Sequence, residues 1–170
     1  VASAITTLEK LMLKNFGDPA NPLLLSVRSG ARQSMPGMME TVLNIGLNSN
    51  TAMGLIEKTN NPKFVYDCLR RLMMMYSDVV MEKSNNIKGP DEGIRIKLEH
   101  LLEQIKKQNK CKNDSDLNAA ALIQLCDLFK KQIHSTFNTH FPNNPQQQLW
   151  GAIDAVFKSW NGKRAIDYRK

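Results

Sequence analysis

An α+β fold that is predominantly α is predicted by three observations. Two short apolar runs near the N-terminus, LLLSV at 23–27 and TVLNI at 41–45, are too brief for helices and read as strands. From residue 51 onward, apolar residues recur at three- and four-residue spacing in one segment after another. With 170 residues, 42% of them hydrophobic, the chain can bury one core, or one domain carrying a sizeable insertion.

Taken in order, Ile5, Leu8, Met12 and Phe16 keep helical spacing, and Gly17 with Pro19 should stop that helix. FGDPANP then reads as a loop, 23–27 as a buried strand, and 41–45 as a second strand ended by Gly46. A lone two-stranded hairpin is marginal in water, so other elements must cover it. Asn61 and Pro62 supply an N-cap and a first-turn proline for a helix with Val65, Leu69, Leu72, Tyr76 and Val79 on one face. NNIKGPDEG is expected to be a loop, followed by a helix burying Ile94, Leu98, Leu101, Leu102 and Ile105. Ser115 is expected to cap the next helix, with Leu122, Leu125, Cys126, Phe129 and Ile133 inward. Asn144 and Pro145 start the last, with Leu149, Ile153, Val156, Phe157 and Trp160 inward.

Composition narrows the function classes. No window approaches 18 apolar residues and the N-terminus lacks the features of a signal peptide, so neither a membrane partner nor a secretory route is expected. The first residue is not Met, which suggests a piece of something longer. Three widely spaced cysteines without a CxxC pair argue against a disulfide framework or zinc site and for a reducing compartment: the cytoplasm, or an organelle such as a plastid or glycosome. Cys68 and Cys126 fall on apolar faces and read as core thiols. The net charge of +7 fits a nucleic acid, a membrane surface or a smaller anion, but no basic run is interleaved with aromatics. IKKQNKCK, the densest basic stretch, is better placed at a helix C-terminus, where lysines complement the dipole, so no nucleic-acid partner is expected.

The chemistry concentrates in SVRSGARQSMPGMMET, residues 26–41. A polyphosphate needs cations, closely approaching backbone N–H groups and hydroxyls. Arg28 at a strand end would present a guanidinium capable of paired bonds to phosphoryl oxygens. Gly30 and Gly37 lack a Cβ where the chain must come close, and Pro36 stiffens the loop. Met35, Met38 and Met39 offer adaptable apolar surface for a base. The alternative is a plain connection between strands, with Gly and Pro as punctuation. No GxxxxGK[ST] occurs, and GARQSMPG does not fit GxGxxG.

SVRSGARQSMPGMMETVLNIGLN resembles the nucleotide-binding segment of the pyruvate, phosphate dikinases, enzymes of the ATP-grasp type. The similarity continues through NPKFVYDCLRRLMMMYSDVVM and QLWGAIDAVFKSWNGKRAIDYR, and so covers essentially the whole chain. It implies an ATP-grasp subdomain piece of two strands carrying a large helical insertion: 1–50 in the nucleotide-binding subdomain, 51–144 helical, and 145–170 a helical return. It further implies that ATP, phosphate and pyruvate interconvert with AMP, diphosphate and phosphoenolpyruvate through a phosphorylated histidine in another domain. Arg28, as the catalytic residue, with Gly37, Met39 and Arg71 would form the ATP site. Magnesium would accompany ATP with no metal ligand in this chain, and the intact enzyme would be a homodimer. Gln33 stands where the family usually has a small residue.

On a helical wheel Arg71 falls beside Phe64, Cys68 and Met75, and Arg70 with Lys63, Asp67 and Ser77 on the polar side. An arginine among apolar neighbours needs an anion or an internal partner, although a snorkelling side chain or a carboxylate pair would also serve. His100, His134 and His140 lack the setting of a transferable histidine, so these 170 residues alone should not turn over. Two other readings compete: a different ATP-grasp phosphotransferase, of phosphoenolpyruvate synthase or glucan dikinase type, and a non-enzymatic basic helical interaction module.

Overall fold

The computed structural model describes residues 1–29, 41–83 and 93–169. Helix α1 (Ala2–Met12) ends where Leu13 takes a left-handed conformation and donates its N–H to the Glu9 carbonyl. It stops short of Phe16, contrary to the helical spacing. Phe16 belongs instead to β1 (Asn15–Phe16), where its N–H donates to Glu9 Oε1 at 2.9 Å and it pairs in parallel register with Leu23. The apolar run at 23–27 is likewise not one strand. It divides into β2 (Pro22–Leu23), which pairs with β1, and β3 (Leu25–Arg28), which pairs antiparallel with β4 (Thr41–Ile45). Between the pairs Leu25↔Ile45 and Val27↔Val42, β3 advances two residues and β4 three. Asn44 absorbs the extra residue at φ 60, a conformation Asn tolerates, and its Nδ2 donates to the Cys68 carbonyl at 3.3 Å.

Gly46 ends β4, as its position in the sequence suggested. Its φ is +101, and a Cβ there would lie 2.9 Å from the Phe16 ring. Helix α2 (Ser49–Thr59) then starts from a complete capping box, in which Asn48 accepts from the N–H groups of Asn50 and Thr51 while Thr51 Oγ1 accepts from the Asn48 N–H. At Gly54 a Cβ would stand 1.6 Å from the Pro19 carbonyl oxygen, so only glycine lets the 17–21 loop lie this close to α2.

Helix α3 (Pro62–Tyr76) is the centre of the fold and packs on β4, α2, α4 and α5. Asn61 Oδ1 caps it by accepting from the Phe64 N–H at 3.0 Å. Its expected face, Val65, Leu69, Leu72 and Tyr76, is buried, with Val79 continuing it, and each such side chain contributes about 1.5–3 kcal/mol. Ser77–Lys83 widens into π-helical turns. The change begins where Ser77 Oγ donates to the Met73 carbonyl at 2.6 Å, competing with the backbone ladder.

Helix α4 (Ile94–Gln108) buries Ile94, Leu98, Leu102 and Ile105 and ends in Lys106 and Lys107, so the basic stretch does cap a helix dipole. Ser115 is not the next cap. It lies in a 3-10 turn (Asp114–Asp116), and the fully buried Leu117 separates that turn from α5 (Ala119–Phe137), which Asn118 caps through the Ala121 N–H. The expected α5 core face is buried throughout, including Cys126, whereas Cys68 is only half-buried. Helix α6 (Pro145–Ser159) starts at Asn144 and Pro145 as expected and packs on β3, β4 and the π segment. Its buried stripe is Gln148, Leu149, Ala152, Ala155 and Val156. Phe157 is 70% exposed rather than inward, on the side of the helix opposite the buried Gln148, and Trp160 is half-buried at the edge of the stripe. A short α7 (Lys163–Arg169) follows.

Gln148 ties α6 to the chain that follows β4. Wholly buried, it accepts from the Gly46 N–H at 2.9 Å and donates to the carbonyls of Leu47 at 3.1 Å and Pro142 at 2.8 Å. This bond set covers the two-stranded ribbon that could not stand alone. Among the described residues, no helix is long and apolar enough to cross a membrane.

Candidate functional site

The β3–β4 ribbon has one covered and one open face. Val42 and Ile45 are wholly buried, while Ser26, Arg28, Thr41 and Leu43 are exposed. Arg28 closes β3 in register with Thr41, so its backbone is fixed by the ladder while its side chain is exposed. Gly37 and Met39, like Gly30, Gln33 and Pro36, lie outside the described residues, in the segment that joins the ends of β3 and β4. Of the four predicted site residues, the structure therefore describes Arg28 and Arg71.

Arg71 lies on α3, which packs against β4 through the Asn44–Cys68 hydrogen bond. Asn44 is three residues along β4 from the partner of Arg28, a separation of roughly 10 Å at strand rise. The wheel placed the two arginines the wrong way round. Arg70 is the buried one, 4% exposed, and the Arg71 side chain is 60% exposed. The 3-10 turn and the end of α4 cover the flank that carries Arg70 and bring Asp114 to 3.6 Å from Nη2. Phe64, expected to be an apolar neighbour of Arg71 in the core, is itself 54% exposed.

Asp67 joins the two arginines. Its Oδ1 accepts from Arg70 Nε at 3.0 Å and Nη2 at 2.7 Å, and its Oδ2 lies 2.8 Å from Arg71 Nε. Arg71 and Asp67 line a cleft of about 350 Å³ whose wall also includes Asn61, Lys63, Phe64 and Ser115. Lys63 Nζ donates to the Ser115 carbonyl at 2.6 Å across that wall. Two cations, Lys63 and Arg71, and two carboxylates, Asp67 and Asp114, thus line the cleft together. Sequence reasoning missed Asp67 and Arg70 as members of this cluster, although Asp at i with Arg at i+3 and i+4 was a readable signal. Burial and the Asp67 carboxylate push the neighbouring Cys68 thiol up, with Arg71 partly offsetting them.

The histidines take no part. His134 and His140 are exposed with ring centroids 4.3 Å apart, and His100 is exposed on α4. Among the described residues no group of three or more His, Cys, Asp or Glu could hold a metal ion. The three cysteines are free thiols.

The family described as pyruvate phosphate dikinase, AMP/ATP-binding domain, matches residues 1–170. The chain is 46% identical to a pyruvate, phosphate dikinase of Clostridium symbiosum over 100% of its own length and 18% of the relative's. It is 45% identical to the Giardia intestinalis pyruvate, phosphate dikinase, over 99% of this chain and 18% of that protein. To pyruvate, phosphate dikinase 1, chloroplastic, of Arabidopsis thaliana it is 42% identical, over 99% and 16%. The chain spans less than a fifth of the length of these relatives, and along all 170 residues it belongs to the pyruvate phosphate dikinase AMP/ATP-binding domain family.

Proposed function

We propose that this chain forms one wall of the ATP site of a pyruvate, phosphate dikinase. The intact enzyme would interconvert ATP, phosphate and pyruvate with AMP, diphosphate and phosphoenolpyruvate through a histidine phosphorylated in another domain. The observation that carries this reading is Arg28, exposed at the end of a strand whose other face is locked to the core, beside the segment SGARQSMPGMM, which resembles the family's apart from Gln33. A guanidinium carried on a ladder-fixed backbone can meet charge on a transferring phosphoryl group. Gly37 and Met39 would add backbone approach and apolar surface, and Arg71 a second cation at the phosphates.

The division into an ATP-grasp piece, 1–50 and 145–170, and a helical insertion, 51–144, is supported by α6 packing back on β3 and β4. Magnesium would arrive with the nucleotide phosphates and take its protein ligands from polypeptide outside these residues. The remaining domains would supply the transferable histidine and the pyruvate site, and the intact enzyme would be a homodimer. Three free thiols fit a cytoplasmic or otherwise reducing setting.

Arg28→Lys in the intact enzyme tests the reading, because it keeps the charge and removes the paired geometry. Phosphorylation of the enzyme by ATP should fall about 100-fold, the scale of losing one preorganised donor. The half-reaction between phosphohistidine and pyruvate, at a separate site, should persist. If both half-reactions fall together, Arg28 supports folding; if neither falls, the 26–41 segment is a plain connection.

A further inference from the structure

The Asp67–Arg70–Arg71 cluster does more than tie one helical turn to the next. An exposed i,i+4 ion pair contributes little, because two mobile side chains must be ordered to form it. Here the carboxylate is already ordered. Arg70 is held by Asp67 Oδ1 on Nε and Nη2, by Met74 Sδ at 3.4 Å from Nη1, and by Asp114 at 3.6 Å from Nη2. Asp114 is itself paired with Lys106 at 3.3 Å. A buried guanidinium held from three sides is a fixed anchor, and it fixes Asp67 in turn.

The second oxygen of Asp67 lies 2.8 Å from Arg71 Nε. The Nη1–Nη2 edge, which matches a phosphoryl group with two parallel bonds, has no acceptor among the described residues. The side chain is 60% exposed and lines the 350 Å³ cleft together with Lys63. We propose that Asp67, anchored by buried Arg70, is a positioning residue that aims the free edge of Arg71 at a phosphoryl oxyanion in this cleft. The proposal rests on the reading of Arg71 as a phosphate contact. The oxyanion belongs either to the nucleotide or to inorganic phosphate, which present the same chemistry to a guanidinium.

The test uses the intact enzyme, with ATP and inorganic phosphate varied separately. Asp67→Asn is nearly isosteric: its carbonyl oxygen still accepts from Arg70, while its amide turns a donor toward Arg71 Nε. KM for whichever substrate supplies the oxyanion should rise on the order of 10-fold, the scale on which loss of an orienting partner weakens a site. The pyruvate half-reaction should not change. A rise for ATP alone assigns the oxyanion to the nucleotide, and a rise for phosphate alone assigns it to phosphate. Asp67→Glu keeps a charge beside Arg70 and displaces the second oxygen, so it should show the same selective rise should the Asn variant fold poorly.

The decisive comparison adds Asp67→Asn to Arg71→Ala. If Asp67 acts through Arg71, the second substitution costs less than about 2-fold on top of the first, since residues acting as one unit are not additive. Effects that multiply would overturn the proposal and leave Arg71 as a contact held some other way. A large loss in Arg71→Ala with none in either Asp67 variant would do the same. No loss in Arg71→Ala would remove the reading of Arg71 and the proposal with it.

Discussion

Removing the Gln148 side chain should cost far more than a helix-surface glutamine ordinarily would. Gln148→Ala deletes three hydrogen bonds, to the Gly46 N–H and to the Leu47 and Pro142 carbonyls, at a site with no solvent exposure. Each bond contributes about 1 kcal/mol net, and each group left buried without a partner costs about 1–3 kcal/mol. Two of the three, to Gly46 and Leu47, span more than a hundred residues of chain, so local rearrangement of α6 cannot replace them. A loss of about 3–5 kcal/mol follows, which at about 2–4 °C per kcal/mol for a chain of this length lowers Tm by about 6–20 °C. Thermal unfolding followed by circular dichroism measures it. Gln147→Ala, one residue earlier and exposed, is the control and should stay within about 0.5 kcal/mol. A shift below about 3 °C for Gln148→Ala would mean that water satisfies these groups and that the clamp between α6 and the ribbon contributes nothing.

Gly54→Ala should destabilise by about 1–3 kcal/mol, because the Pro19 carbonyl 1.6 Å from the new Cβ must move, which outweighs the roughly 1 kcal/mol that alanine gains in a helix; an unchanged or raised Tm would show that the 17–21 loop yields freely. Burial pushes the Cys126 thiol and the Tyr76 phenol up to about 12 from 9.0 and 10.0. Both groups are neutral when protonated, so stability should be level in this respect below pH 9 and fall between about pH 9 and 12, where the unfolded chain releases these protons first. Cys126→Ala should flatten the early part of that decline in a pH series of urea midpoints, and an unaltered slope would exclude the thiol as its source.

Much of the fold was legible because its signals are local. Asn61 with Pro62 and Asn144 with Pro145 mark helix starts by their own backbone chemistry, and the faces of α3 and α5 follow from apolar spacing alone. Errors gathered where a distant element decides. Residues 22–28 form two strands because β1 and β4 claim different parts of one apolar run. Ser115 and Asn118 are both acceptable caps three residues apart, and the burial of Leu117 between them selects the second. Phe157 is apolar but lies on the side of α6 opposite Gln148, so helical spacing counted from the buried Gln148, Leu149, Ala152, Ala155 and Val156 leaves it in solvent. At the site, Arg28 was visible because a strand-end arginine beside a Gly- and Met-rich segment is a local pattern. The Asp67 cluster required knowing what packs on α3.

The exchange of Arg70 and Arg71 shows why a helical wheel alone ranks candidate ligand residues badly. A wheel measures angle around one helix, whereas burial depends on what the neighbours cover. Arg70 sits well off the Val65–Leu72–Tyr76 face, yet the turn at Asp114–Asp116 and the end of α4 close over it. Asp67, Asp114 and Met74 occupy its donors, as a buried guanidinium requires. An arginine so fully used by the fold has little left for a ligand. The informative case is the opposite one: a cation left in solvent, with one nitrogen beside an ordered carboxylate and no acceptor for the rest of its fork among the described residues. Exposure keeps Arg71 available, and the Asp67 contact removes part of the ordering cost that a flexible side chain would otherwise bring to ligand binding.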